Sequence, residues 1–439
     1  MSGIELGLAV FGGMLVLMAL RMPIGVAMMV AGGGGFALVA GWIPLIAQLK
    51  SSAYYLFSSY SLTVIPLFLL MGQFATKSGL SRGLFGAANA WLGHRPGGIA
   101  MAAIGGCGLF GAICGSSLAT AATMGQVALP ELKRYHYSGA LSTGALAAGG
   151  TLGILIPPSV ILVIYAILTE QNIAKMFLAA FVPGILAALG YLLAIAVYVR
   201  LYPDEGPAGP AHSLREKLRS LIDIWPAMLI FLLVIGGIYT GVFTPTEAAA
   251  FGAVATGLLA AVKERMGWQG LKECLLGAAE ASAMIFLILF GAELFNGFLA
   301  LTRMPDTLAG LIGGSGLPPL MVLAAMLVLY LVLGCVMDSL SMILLTIPIF
   351  FPIIMALDFG LTPEGTAIWF GVIALVVVEV GLITPPVGMN VFIINSMARD
   401  VPMLESFRGV LPFLISDGIR VVALVAFPPL TLWLVQFLG

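Results

Sequence analysis

Charge is what this chain has least of. Only 9% of its 439 residues are Asp, Glu, Lys or Arg, against roughly 25% in a typical soluble domain. Hydrophobic side chains make up 61% and the mean hydropathy is +1.11, which leaves too little polar surface to cover a water-facing globule. A soluble enzyme, a disordered protein and a nucleic-acid binder are excluded together, the last also by a net charge of −1. Histidine is scarce: His94, His136 and His212 are the only three, so a histidine-built metal centre or haem site is not expected. The four cysteines lie in apolar stretches with no CxxC spacing, and no redox cofactor is expected. No Gly-Lys pair occurs, so a phosphate-binding GxxxxGK loop is absent and no nucleotide is expected. Gly32-Gly33-Gly34-Gly35 reads as close helix packing. The opening Met1-Ser2-Gly3, with Glu5 in place of a basic stretch, does not read as a cleavable signal.

What remains is apolar sequence in long runs, the mark of a polytopic α-helical membrane protein. The 25 prolines and 55 glycines sit inside these runs, where membrane helices tolerate them. About 20 apolar residues span a bilayer core, and most uncharged runs fit one crossing. Two do not. The run 96–130 has 35 residues without a charge; as one straight helix it would be about 52 Å long, against a core of about 30 Å. Its middle reads Gly111-Ala112-Ile113-Cys114-Gly115-Ser116-Ser117, and half of it gives arms of about 24 Å, slightly short of crossing. A re-entrant hairpin with a polar tip inside the membrane fits best; an ordinary hairpin with an exposed turn is the competing reading. The second run, 307–357, carries Asp338 as its only charge, within Gly334-Cys335-Val336-Met337-Asp338-Ser339-Leu340-Ser341. A carboxylate inside a long apolar hairpin is a functional candidate by default.

Treating both hairpins as entering and leaving on one side, and the other runs as single crossings, places fifteen of the nineteen basic residues on one face. Lys50, Lys175 and Arg303 fall on the other, and Arg420 lies within the last helix. The positive-inside rule makes the basic face cytoplasmic and both termini external. The first hairpin then enters from the cytoplasm and the second from outside.

Each hairpin precedes a run with a doubled proline: Gly153-Ile154-Leu155-Ile156-Pro157-Pro158-Ser159 in the first half, Gly381-Leu382-Ile383-Thr384-Pro385-Pro386 in the second. The glycine-to-proline spacing is identical, while the two halves enter from opposite faces. This is an inverted-topology repeat, an architecture of secondary transporters. Pro-Pro within a span breaks the helix and frees backbone carbonyls. Carbonyls and hydroxyls are oxygen ligands for a hard cation such as Na⁺, and half-helix N-termini suit an anion. Pro-Pro as a simple kink is the bland alternative. The resulting division is scaffold helices at 1–95, a first repeat at 96–200 with a broken helix over 138–169, and a proline-rich cytoplasmic linker at 201–222. Further scaffold helices follow at 223–300, a second repeat at 301–400 with a broken helix over 364–398, and a C-terminal helix at 401–439.

The stretch 105–159, with GSSLATAATMG, LPELKRYHY and GGTLGILIPPS, resembles the large membrane subunit of tripartite ATP-independent periplasmic (TRAP) transporters. GCVMDSLSM, IPIFFPI and EVGLITPPVGMNVF are similar to that family's second repeat, and the likeness runs through the whole chain from Arg21-Met22-Pro23-Ile24-Gly25. The resemblance implies an elevator transporter, related in fold to divalent-anion/sodium symporters, in the bacterial inner membrane. It implies Na⁺ ligands at Ser116, Ser117, Gly150, Thr151 and Gly153 for one site, and at Asp338, Ser339, Gly381 and Thr384 for a second. Ser117, Pro157, Ser159, Pro385 and Asn390 would border the substrate. It also implies a separate small four-helix membrane subunit, a periplasmic substrate-binding protein, and an organic acid as substrate: a C4-dicarboxylate, keto acid or sialic acid. A self-sufficient Na⁺/carboxylate symporter of the same fold is the alternative. An intramembrane hydrolase using Ser116 or Ser339 is disfavoured, because no histidine lies within a span and Asp338 alone makes no aspartyl dyad.

Several other residues invite expectations. Asp417 and Arg420, three apart, are expected to pair on one helix face. Glu280 and Glu293 are expected to face the bundle interior or its ends. Glu379 is divided evenly between capping or packing and ion coupling. Thr120 and Thr123 are read as satisfying backbone carbonyls. Trp42, Trp91, Trp268 and Trp369 are read as interfacial anchors.

Overall fold

The computed structural model describes residues 3–314 and 316–438, and the described residues form helices joined by short turns. They sort into two packed groups. Gly3–Ala19, Ile24–Ala40, Trp42–Ser58 and Val64–Lys77 pack with Trp225–Tyr239, Pro245–Lys263 and the 35-residue helix Trp268–Thr302. The second group holds both hairpins, both broken helices and the helices Ile173–Leu201, Met403–Ala426 and Pro429–Leu438. A short helix stands between the groups in each half: Leu80–Leu92 lies on the first hairpin, and Met304–Gly313 lies on the second. The order scaffold, short helix, hairpin, broken helix, outer helix is therefore the same in both halves of the chain.

The first hairpin has arms Gly98–Cys114 and Ser117–Arg134. Its turn follows from local chemistry. Gly115 takes φ +66°, a left-handed conformation that glycine adopts freely, and its N–H closes the arm on the Gly111 carbonyl at 2.8 Å. Ser116 then caps the next arm, its Oγ accepting the Ala119 N–H. At 17 and 18 residues, the arms are about 26 Å long, and Cys114 and Ser117 at the tip are 5% and 1% exposed. The tip is thus buried in protein. The second hairpin has arms Pro319–Gly334 and Ser339–Met355, with Asp338 as the cap. It starts later than the uncharged run suggests. Residues 307–313 belong to the preceding short helix, and the hairpin arm begins only at Pro318-Pro319, which lack the N–H groups to continue a helix but suit the start of one.

The first broken helix runs Gly139–Leu155 and Val160–Leu168 with a 44° bend. The second runs Pro363–Gly381 and Met389–Met397. Both Pro-Pro bonds are cis. Pro363–Gly381 is far more enclosed than the outer helix Met403–Ala426, 89% against 33% buried over their apolar stretches. The last run is two helices, because Pro428-Pro429 ends Met403–Ala426 before Pro429–Leu438 begins.

Two exposed ion pairs fix relative sidedness. Lys133, at the end of the first hairpin, meets Asp400 after the second broken helix. Lys175, after the first broken helix, meets Glu364 at 2.8 Å, just past the second hairpin. Each pair joins one repeat to the other, at ends that the inverted topology places on opposite faces. The 201–222 linker is more ordered than its prolines suggest. Gly97 N–H donates to the Gly206 carbonyl and Gly209 N–H to the Gly93 carbonyl, both at 2.8 Å. Ser138 Oγ donates to Glu205 Oε2 at 3.0 Å, and Leu214–Asp223 is helical behind a Ser213–Glu216 capping box.

Candidate functional site

The two hairpin tips meet at one buried side chain. Glu379, the only charge between Glu364 and Arg399, stands two residues before the Gly381 break and is 0% exposed. Ser117 Oγ donates to its Oε2, and Ser339 Oγ donates to its Oε1 at 2.7 Å. One carboxylate thus accepts a hydroxyl from each tip. Both serines occupy the first helical position after a cap, which aims their side chains along the broken-helix surface. Two hydroxyl donors offset part of the cost of holding a carboxylate out of water.

Small residues bring the backbones this close. A Cβ on Gly153 would lie 2.4 Å from Thr120 Oγ1 and 2.7 Å from the Ser116 carbonyl oxygen; one on Gly150 would lie 3.0 Å from Asn390 Nδ2 and 3.2 Å from the Ser117 carbonyl oxygen. Ser116, Ser117, Gly150, Gly153 and Asn390 are therefore one neighbourhood. Asn390 is fully buried, and its Nδ2 donates to the Ala147 carbonyl at 3.3 Å. Its Oδ1 has no partner, and neither does Thr120 Oγ1. Buried orphan oxygens next to backbone carbonyls suit a desolvated cation or a polar ligand. Thr120 does not spend its hydroxyl on a backbone carbonyl, contrary to expectation.

Thr151 leaves this neighbourhood. One residue on from Gly150 turns the helix by about 100°, and its hydroxyl donates to the Ala148 carbonyl at 2.7 Å and meets Tyr191 OH at 3.1 Å. Tyr191 OH in turn donates to Asp417 Oδ2 at 2.9 Å, and Asp417 Oδ1 pairs with Arg420 Nη2 at 2.8 Å. The expected Asp417–Arg420 pair forms, buried, with Arg420 also over the Tyr191 ring. Tyr191 is invisible in the sequence as a partner, since nothing near it in the chain is polar.

On the second side, Asp338 is half-buried and caps its arm: it accepts the Ser341 N–H at 3.1 Å and the Ser341 hydroxyl. Gly381 touches Gly334, and Cys335 Sγ lies 3.3 Å from the Pro385 carbonyl oxygen. Thr384 Oγ1 donates to the Val380 carbonyl at 2.7 Å. Pro385 and Pro386 are exposed, whereas Pro157 and Ser159 are buried, Ser159 capping Val160–Leu168 through the Leu162 N–H. The two helix breaks therefore present unequal surfaces.

The model of the family "Tripartite ATP-independent periplasmic transporter, DctM component" matches residues 11–430. The chain belongs to the DctM family, the TRAP large permeases. It is 39% identical over 398 residues to the C4-dicarboxylate TRAP transporter large permease protein DctM of Pseudomonas aeruginosa, covering 89% of this chain and 91% of the relative. It is 32% identical to the sialic acid TRAP transporter large permease protein SiaM of Vibrio cholerae, covering 87% and 88%. The isethionate TRAP transporter permease protein DctMQ of Oleidesulfovibrio alaskensis is 32% identical over 89% of this chain, which spans 60% of that longer relative. In fold the chain is similar to the YdaH transporter of Alcanivorax borkumensis, with a TM-score of 0.64, 14% identity, and coverage of 90% and 89%.

Two further expectations for this TRAP permease are corrected. Glu280 and Glu293 are exposed on Trp268–Thr302 rather than turned into the bundle. Trp369 is not an interfacial anchor: it is 1% exposed, and its Nε1 donates to the Leu424 carbonyl at 3.0 Å. Trp42 and Trp268 are exposed, as anchors should be.

Proposed function

We propose that this permease couples organic-acid uptake to a Na⁺ gradient by an elevator mechanism, in which the hairpin group slides as a body against the scaffold group. The observation that carries this reading is the convergence of both hairpin tips, and of buried oxygens lacking partners, beside two helix breaks. Na⁺ would be held at the first tip by Ser116, Ser117, Gly150 and Gly153 through hydroxyls and carbonyls, and at the second by Asp338, Ser339, Gly381 and Thr384. Thr151 supports the first site from behind. The substrate carboxylate would lie between the breaks, against Asn390, Ser117 and the Pro157, Ser159 and Pro385 backbone, near helix N-termini that favour negative charge.

The substrate class follows from relatives named for C4-dicarboxylate, sialic acid and isethionate, all anionic. Partners would be a small four-helix membrane subunit and a periplasmic binding protein that selects the anion. The basic face would be cytoplasmic, with both termini outside an inner membrane. Uptake into proteoliposomes holding both membrane subunits, with and without the binding protein and under an imposed Na⁺ gradient, tests all of this. Equal rates in choline and sodium would remove the coupling. Full rates without the binding protein would favour the self-sufficient symporter.

A further inference from the structure

We infer that Glu379 is a positioning residue that ties the two hairpin tips into one unit, so that a change at one tip is transmitted to the other. The inference rests on the two acceptors of a single carboxylate: Oε2 takes the Ser117 hydroxyl from the first repeat and Oε1 the Ser339 hydroxyl from the second. The serines are 222 positions apart in sequence yet share one side chain. All three residues are nearly inaccessible, at 0%, 1% and 4% exposure, so no solvent competes for these bonds.

The tie breaks the internal symmetry, which marks it as more than a repeat feature. Aligning the two halves on Gly153 and Gly381, each four residues before its first proline, puts Thr151 at the position equivalent to Glu379. Thr151 turns outward to Tyr191 and reaches neither tip. The cross-connection is therefore made once, from the second broken helix alone. Moving either serine must stretch or release the carboxylate that the other serine also holds. A cation held by a lone pair of the Ser117 or Ser339 oxygen would polarise the O–H that donates to Glu379, and the change would reach the bond on the far side. This deepens the proposed Na⁺ coupling and rests on it only for the sodium measurements below.

The test measures amide hydrogen exchange of segments 112–119 and 336–342 in the full chain reconstituted in lipid nanodiscs without sodium. Ser117→Ala is expected to speed exchange at the second tip, which it does not touch, by about tenfold, the scale of one charge-assisted hydrogen bond. In a Glu379→Ala background the same substitution is expected to leave the second tip unchanged, because the link is already cut. In reconstituted transporter, Glu379→Ala is expected to lower the Hill coefficient for Na⁺ from about two toward about one. A second tip indifferent to Ser117→Ala in the wild-type background overturns the tie, and that comparison needs no Glu379 variant to fold. A wild type insensitive to Na⁺ would overturn the proposed coupling but leave the exchange result to decide the tie.

Discussion

Gly381 and Gly334 meet backbone to backbone: a Cβ on Gly381 would lie 2.6 Å from the Gly334 Cα. The first half repeats the relationship, since a Cβ on Gly111 would lie 2.4 Å from the Gly153 Cα. Each hairpin is thus seated on its broken helix through a pair of glycines just ahead of the doubled proline. Gly381→Ala forces two backbones apart, and overpacking of this kind costs about 1–3 kcal/mol. We expect a lower melting temperature in detergent, read by fluorescence-detected size exclusion after heating. Gly236→Ala, where a Cβ meets nothing within 4 Å, should leave melting unchanged or slightly raised. Equal behaviour of the two variants would show that the glycine contact is not limiting.

Asp338 combines a helix cap with a charge, and one substitution separates them. Asn is as good a cap as Asp, so Asp338→Asn should retain the bond from the Ser341 N–H and assemble normally. Removing the charge should weaken Na⁺ binding and nearly abolish uptake. Normal transport with an unchanged Na⁺ dependence would make the carboxylate a cap alone. Because the second site loses its only formal charge while the first relies on neutral oxygens, Asp338→Asn should cost more uptake than Ser117→Ala.

Asp417 and Arg420 are 1% and 6% exposed. Removing one member strands the other, at a cost of about 3–5 kcal/mol. Asp417→Ala should therefore reduce the amount of folded protein in the membrane, measured by monodisperse yield. The double variant Asp417→Leu, Arg420→Met should recover most of it, as replaced buried ion pairs generally do. A double variant no better than the single one would mean that the Tyr191 OH bond to Asp417, rather than the ion pair, carries the stability.

The two inter-repeat ion pairs make a topological prediction. Cysteines at 133 or 400 should react with an impermeant thiol reagent from one side of intact cells or inverted vesicles, and cysteines at 175 or 364 from the other. All four wild-type cysteines are buried, so background labelling is low. The exposed pairs themselves stabilise little, so the substitutions report sidedness without disturbing the fold. Labelling of 133 and 175 from the same side would refute the inverted arrangement.

Composition and punctuation determined the class, the two hairpins, their tips and the paired helix breaks. Those features depend on run length, on glycine and proline, and on polar residues isolated in apolar sequence, all of which are local. What only the tertiary structure decided is which way each side chain faces. Spans such as Gly139–Leu155 and Pro363–Gly381 are apolar all round, so they carry no amphipathic phase from which orientation can be read. Thr151 therefore looked equivalent to Gly150 and Gly153 but turns to Tyr191, while Trp369 near a helix end proved to be core. Glu379 showed in the sequence as a lone charge; that its two oxygens join serines from opposite repeats depends on the folding of two distant hairpins onto one helix, which no local pattern encodes.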